Sequence, residues 1–395
     1  MTETERAQRL KGKLKRAYPE ARGLRCFSAG GRIELSGNHT DHQHGRVLAA
    51  AIEQSAVMAA FPADDGCITI HSEGYKPFTV SLDAPKEGLS GSTAALVLGV
   101  ADGLLKRGYK VGGFCAVMDC EVRKGSGLSS SAAIEVLFGA AFNYLYNGGK
   151  IAPMELAKVG QYAENVWFGK PCGLLDQAAC AHGGCVEMDF IDPSSPLVTP
   201  VSLDCVRESY EICVVYAGGD HSDLTDCYSA IVAELAQVSR FFGKSVLRQI
   251  PKDEFMDSLP ALSEAVPHRA ILRALHVYDE NERVLAQCAA LRRGDSLGFL
   301  RLVNASGDSS FMLLQNVCPD SIPDRSLALA LALTREFLDG QGACRVHGGG
   351  FMGTILAFIP KARFAQYREF MEGVFGKGSV DAVSIRAQGG TELKS

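Results

Sequence analysis

The chain lacks an excess of positive charge. Forty Lys and Arg stand against 45 Asp and Glu, a formal net charge of −5. A protein that neutralises a phosphate backbone needs net or strongly clustered positive charge, so this balance argues against nucleic acid as a partner. Long apolar runs are missing too. None reaches the ~18 residues needed to span a bilayer, and Met1 to Arg16 is polar and charged, without the apolar centre of a signal peptide. A membrane partner is therefore not expected. Internal repeats and low-complexity tracts are absent, and tryptophan occurs once, at position 167. Cysteine is plentiful at 13, but the residues are scattered, odd in number and never spaced as Cys-x-x-Cys. Reduced, mostly buried thiols in a cytoplasmic protein are the expectation. What remains is ordinary globular composition, 47% hydrophobic and 22% charged over 395 residues, long enough for two domains with sizeable cores.

Hydrophobic periodicity divides the chain into mixed elements. Thr2 to Tyr18 reads as a helix. Arg32 to Leu35 alternates, with Ile33 and Leu35 on one face, and Val47 to Ile52 is a second strand after a polar turn, Gly37 to Gly45. Cys67 to His71 and Phe78 to Leu82 read as a hairpin, Thr93 to Lys106 as a helix and Phe114 to Val122 as a strand. Helices are predicted from the Gly/Ser turn 125–131 to about Leu145 and over Met154 to Phe168. Prolines 193, 196 and 200 suggest an interdomain segment. In the second half, strands are predicted at Tyr210 to Tyr216, Ala343 to Val346, Thr354 to Phe358 and Ala382 to Arg386. Helices are predicted near Asp226 to Phe242, Phe255 to Arg301, Asp324 to Leu338 and Lys361 to Phe375.

Four segments could carry chemistry. Lys124-Gly-Ser-Gly-Leu-Ser-Ser-Ser-Ala-Ala133 lies between a strand and a helix. Its small residues would let a polyanion reach the backbone, and the unpaired N–H groups of the helix start would receive it. Read alone, the run fits a tight turn with a serine cap better. A Walker A loop is excluded, because Gly243-Lys244-Ser245 has Val238 where a glycine is required. A dinucleotide fingerprint fails at Ser130. Gly31 to Gly45 is a strand ending in a turn rich in Asn, His and Asp, suited to hydroxyl recognition; the spacing of His39, His42 and His44 matches no common zinc pattern. Ala163 to Gln177 holds Glu164 and Asp176 around a short loop. One carboxylate could ligate Mg²⁺ and the other accept a proton, or both could be structural. Ala343 to Thr354 contains consecutive glycines that permit close backbone approach or a tight turn.

Taken in order, these segments resemble the GHMP kinase family, and within it the galactokinases. Gly31, Arg32, Leu35, Gly37, His39, Thr40 and Asp41 match the first signature, and Gly127 to Ala132 match Gly-Leu-Ser-Ser-Ser-Ala. Glu164 and Pro171 to Gln177 resemble the catalytic stretch, His221 to Tyr228 a sugar-binding stretch, and Gly348 to Gly353 the third signature. The resemblance implies a two-domain fold: an N-terminal α/β part over 1–200, like ribosomal protein S5 domain 2, and a C-terminal ferredoxin-like α+β part over 201–395. The site would lie in the cleft between them. It implies an ATP-dependent sugar 1-kinase, with ATP and a small sugar as partners, Mg²⁺ as cofactor and a monomeric state. Asp176 would take the proton of the anomeric hydroxyl, and Arg32 would pair with it and stabilise charge in transit. Ser129 and Glu164 would hold Mg²⁺. Gly125, Ser126, Gly127, Leu128, Ser129, Ser130 and Ser131 would cradle the ATP phosphates. Asn38, His39, Asp41, Gly173 and Tyr228 would orient the sugar.

The chain departs from the family pattern at the sugar site. Asn38 stands for a Glu that bonds the sugar's 6-hydroxyl in galactokinases, Glu34 for an Asn, His42 for Tyr, Gly30 for Pro, and Ser126 and Met352 for glycines. A neutral Asn would not repel a carboxylate, so galacturonate joins galactose as a candidate, with galactose preferred. A non-catalytic regulator that binds sugar and ATP is the reading from a different class.

Overall fold

The structure is a computed structural model, and it describes residues 1–123, 125–218, 225–319, 323–351 and 353–394. Two long alternating strands organise its first half. Strand β1 (Arg25–Ser36) runs antiparallel to the 18-residue β2 (Arg46–Ala63). A hairpin of β3 (Cys67–Ser72) and β4 (Phe78–Ser81) follows. Then comes β5 (Gly113–Cys120), which pairs parallel with β3 and antiparallel with the second half of β2. The first half of β2 pairs instead with β6 (Cys185–Asp189), which carries the edge strand β7 (Leu197–Val201). Helices α1 (Glu3–Ala17), α2 (Thr93–Leu105), α3 (Ser130–Tyr146), α4 (Pro153–Tyr162) and α5 (Leu175–His182) accompany this sheet. Helices α2 to α5 bury Val97, Phe138, Leu156 and Ala178 in one core with Phe27 and Met58 of the sheet.

The second sheet is antiparallel, in the order β11 (Val380–Ala382), β8 (Tyr210–Gly218), β10 (Gly353–Pro360), β9 (Ala343–Val346). Helices 225–241, 268–292, 296–309, 326–338 and 364–375 surround it. A shared core joins the halves: Ile33, Leu35 and Leu48 pack with Val214, Val303 and Phe358. The chain then returns, since Ile385 bridges to Ile52 and β12 (Thr391–Leu393) pairs with β1. The segment 385–393, expected in the C-terminal part, thus lies on the first sheet. The proline-rich segment around 200 is not a free linker, because Pro200 sits in the edge strand opposite Val186, where a missing N–H costs no interior ladder bond. The predicted strand over 382–386 narrows to β11 and the single bridge at Ile385.

The period of two along β1 sets the site. Ile33 and Leu35 enter the shared core, so Arg32 and Glu34 face the cleft between the halves. Register shifts at Gly30/Arg32 and Glu34/Ser36 bend the strand there, a common way of aiming side chains next to a site.

Helix α1 is held by a capping box, Thr2 with Glu5, and by Arg6, which is 2% exposed. The Arg6 guanidinium bonds Asp119, Glu121 at 2.7 Å and the Ser55 carbonyl at 2.9 Å. Removing one partner of a buried pair strands the other. Arg6→Ala is expected to lower unfolding stability by about 3 kcal/mol, read as a fall in thermal midpoint and denaturant midpoint.

Candidate functional site

The cleft has a volume of about 610 Å³ and is lined from both halves by the segments singled out in the sequence, among them Arg32, Asp41, Ser129, Asp176, Tyr228 and Gly349. Its floor is the loop between β5 and α3. Gly125 and Gly127 take positive φ (75° and 71°), as does Ser129 (59°), so the chain doubles back before the helix begins. Gly127 also fits where little else would, because a Cβ there would lie 2.5 Å from Thr354 Oγ1. The loop is fastened to β1: Arg32 N–H donates to the Leu128 carbonyl at 3.1 Å, and Arg32 Nη1 donates to Gly127 O. At Gly31 a Cβ would come 2.7 Å from that Leu128 carbonyl. Ser126 is buried and bonds the Arg123 carbonyl at 2.6 Å, so it shapes the loop from within.

Arg32 and Asp176, 144 residues apart, meet at the rim of this loop. Arg32 Nε lies 2.8 Å and Nη2 2.7 Å from Asp176 Oδ1, and Ser129 Oγ donates to the other carboxylate oxygen. Asp176 sits in the first turn of α5, and Arg32 is 5% exposed.

Beside this corner lies a second acidic cluster. Glu164 is carried on a widened, π-helical turn (Ala163–Phe168) that continues α4. Its Oε1 accepts from Ser131 Oγ at 3.0 Å and from Lys170 Nζ at 3.4 Å. Gln177 Nε2 bridges Glu164 Oε2 at 2.8 Å and Glu135 Oε2 at 3.0 Å. Burial, and next Glu164, push the Glu135 carboxyl well above the usual range. The expected Mg²⁺ pair was Ser129 with Glu164. The structure instead sets Ser131 against Glu164. Ser129 precedes the helix in the left-handed conformation, which swings its hydroxyl to Asp176. Ser131 Oγ and Glu164 Oε1 are hard oxygen donors near the phosphate loop and so fit a magnesium ion that takes its remaining ligands from phosphates and water. Among the described residues no group of three His, Cys, Asp or Glu could hold a metal by itself.

The expected sugar residues divide into two sets. Asn38 has no polar capacity left. Its Nδ2 donates to Glu34 Oε1 at 2.9 Å and Gly348 O at 2.7 Å, while its Oδ1 accepts from Asn316 at 2.8 Å and Ser310 at 3.3 Å. His39 is equally committed. Gln43 Nε2 donates to His42 Nδ1, His42 Nε2 to His39 Nδ1 (each 3.2 Å), and His39 Nε2 to Gly349 O at 3.0 Å. This one-way chain needs both rings neutral; burial pushes His39 down to about 4 and His42 to about 3. Tyr228 O–H donates to Gly350 O at 3.0 Å, with its ring over Gly349. Three residues expected on the sugar therefore hold the carbonyls of Gly348, Gly349 and Gly350. Tyr228 still borders the cleft, but the stretch 221–224 before it lies outside the described residues, as do Lys124 and Met352.

Asp41 and Gly173 form the second set. A Cβ on Gly173 would fall 1.6 Å from Asp41 Oδ2, so the carboxylate occupies the space that glycine leaves. Burial, and next Asp176, push Asp41 up to about 6. Glu34, Arg345 and His347 were not assigned roles from sequence. Glu34 Oε1 accepts from Arg345 Nη2 at 2.9 Å, and Glu34 N–H donates to His347 Nε2 at 3.1 Å. Burial pushes Glu34 up to about 7, against the pull of Arg345 and Arg32. The available signal was a carboxylate on the same strand face as Arg32. For Glu135 it was an acid inside the apolar start of α3.

With this geometry in place, kinship is informative. A profile described as GHMP kinases N terminal domain matches residues 95–184, and one described as Galactokinase galactose-binding signature matches residues 13–62. A galactokinase of Streptomyces coelicolor is 30% identical over 361 residues, 91% of this chain and 90% of the relative. The chain belongs to the galactokinase family of GHMP kinases. It is a galactokinase-like sugar kinase and, as a GHMP kinase, an ATP user. A galactokinase of Actinobacillus pleuropneumoniae is 29% identical over 352 residues, 88% of each chain. The crystal structure of Lactococcus lactis galactokinase complexed with galactose superposes with a TM-score of 0.82 at 23% identity, covering 97% of this chain and 98% of that one, which confirms the two-sheet fold. No helix among the described residues is long and apolar enough to cross a membrane.

The fit between Gly173 and Asp41 yields a direct test. Gly173→Ala is expected to raise KM for the sugar about tenfold or more, since Asp41 must move or lose its hydrogen-bonding position. KM for ATP should stay unchanged, measured by initial rates with each substrate varied.

Proposed function

We propose that the chain transfers the γ-phosphoryl group of ATP to the anomeric hydroxyl of galactose. The observation that carries this reading is the corner where Asp176 meets Arg32 and Ser129 at the edge of the glycine/serine loop. The start of α3 would receive the phosphates through Ser129, Ser130, Ser131 and the backbone from Gly125. Mg²⁺, held by Ser131 and Glu164, would neutralise phosphate charge. Asp176 would accept the hydroxyl proton as the sugar oxygen bonds the γ-phosphorus and the bond to the β-phosphate oxygen breaks, releasing ADP. Arg32 would orient Asp176 and balance charge moving onto the transferred group. Phosphoryl transfer asks mainly for positioning and charge neutralisation, which this corner can supply. Asp41 would orient the sugar by accepting hydroxyl protons. Free thiols at all 13 cysteines support a reducing, cytoplasmic setting.

A sugar panel with ATP, reading ADP release and identifying the phosphorylated position, tests the reading; a product phosphorylated away from C1 would refute the role given to Asp176. Asp176→Asn is expected to reduce kcat by about 10²-fold or more while ATP still binds, measured by turnover and nucleotide titration. A protein with no turnover to lose would instead be a sugar and ATP sensor.

Asp41 adds a pH dependence. Its carboxyl, raised to about 6, gains a proton as pH falls through that value and loses acceptor capacity. KM for sugar is therefore expected to rise on acidification through about 6, with KM for ATP unaffected. Asp41→Asn should raise KM and remove the part of the acidic rise centred near 6.

A further inference from the structure

The loss of a carboxylate at position 38 leaves a carboxyl group at the sugar pocket, because Glu34 stands in direct contact with Asn38; raised to about 7 by burial, it is ionised above that pH. Glu34 Oε1 is occupied by Asn38 Nδ2 and Arg345 Nη2, both at 2.9 Å. Oε2 takes no hydrogen bond from the described residues, and the side chain borders the cleft. Glu34 is also placed by register. It is the next residue after Arg32 on the cleft face of β1, about 6.6 Å further along the strand. A sugar whose reacting hydroxyl lies at Arg32 and Asp176 therefore presents the remote side of its ring toward Glu34. Asn38 and His39 have spent their polar atoms on the protein, which leaves Glu34 and Asp41 as the carboxylates bordering that side among the described residues.

We propose that Glu34 is the specificity residue of the sugar pocket: its free oxygen accepts a hydroxyl on the side of the ring remote from the phosphorylated position and excludes sugars bearing a carboxylate there. This deepens, and rests on, the anomeric kinase reading above. Hexuronates carry their carboxylate on C5, away from the anomeric carbon, and like charges held together in a confined site are strongly disfavoured. The occupant is a neutral hexose such as galactose. Arg345 adds an asymmetry. It is fully buried, and Glu34 is its only carboxylate partner among the described residues. Neutralising Glu34 would leave a cation behind the pocket wall and invite the anion that the native pocket turns away.

Three sugars separate the possibilities on the unaltered protein at about pH 8 to 8.5, above the value of about 7 to which burial raises Glu34: galactose, galacturonate and the neutral, similarly sized galacturonamide, each with ATP and with the product position identified. Galactose is expected to exceed galacturonate in kcat/KM by about 100-fold or more, with galacturonamide within about tenfold of galactose. Glu34→Gln should narrow the galactose-to-galacturonate ratio by about tenfold or more, through better use of galacturonate and a higher KM for galactose, with KM for ATP unchanged. Galacturonate used as well as galactose by the native chain would overturn the proposal. So would equal rejection of galacturonate and its amide, which would mean that size decides, or a folded Glu34→Gln with an unaltered ratio. Should that variant not fold, the comparison of acid and amide on the native chain decides alone. Failure to phosphorylate any of the three at C1 would defeat the kinase reading itself, and this proposal with it.

Discussion

Arg32 ties three distant segments into one corner, and the rest of the site is arranged around that tie. A guanidinium that is 5% exposed must find partners for its donors or forfeit its solvation. The available partners are Asp176 at the start of α5 and the Gly127 carbonyl in the phosphate loop. Satisfying Arg32 therefore fixes the distance between strand, loop and helix. Asp176 is in turn restrained by Ser129, so the loop that would hold phosphate and the carboxylate that would take a proton cannot drift apart. One ion pair thus supplies the folding constraint and, on the function proposed above, would supply the reactive geometry as well.

A second layer of buried polar groups fixes the mouth of the cleft. Glu280, fully buried on helix 268–292, accepts from Ser36 Oγ at 2.8 Å, Gly37 N–H at 2.9 Å and Ser306 Oγ at 2.6 Å. Burial alone would raise its pKa, but His276, Arg283 and these donors hold it well below the usual carboxylate range. His276 Nε2 donates to the Asn38 carbonyl at 2.9 Å from the same helix. The turn after β1 is therefore pinned by the second half of the chain. It pins the glycine segment in turn, through Asn38 on Gly348 and His39 on Gly349. Asn38 and His39 in this turn are thus occupied by the protein itself and not by the cleft.

The parts of the fold and site that could be read from sequence are those encoded locally. Alternation at Ile33 and Leu35 marks the buried face of β1 and so sends Arg32 to the other face. The glycine/serine run marks a strand-to-helix turn, and Asp176 follows a loop bounded by Pro171 and Gly173. The rest depends on three-dimensional contact. Whether Ser129 or Ser131 reaches Glu164 turns on one left-handed residue before α3. The upward push on the Glu135 carboxyl comes from its burial and from Glu164, 29 residues away, and its Gln177 partner lies 42 residues away. Strand β7 is obscured in the sequence by the prolines at 193, 196 and 200, although an edge strand tolerates them.

The sugar site shows why motif positions are an incomplete guide to chemistry. Compared with the family pattern, this chain carries Glu for Asn at 34 and Asn for Glu at 38. Taken singly, the second change removes a charge and the first adds one elsewhere on a strand. In space the two side chains touch at 2.9 Å, so an amide and a carboxylate have exchanged places within one cluster. The net charge of that cluster is preserved, and Arg345 balances it from behind. What moves is the point from which the charge reaches the cleft: from the turn, where Asn38 is now closed by four protein contacts, to the strand, one pleat beyond the reacting corner. On the proposal made above, substrate charge preference follows the electrostatics of the cluster as a whole and is not set by position 38 alone.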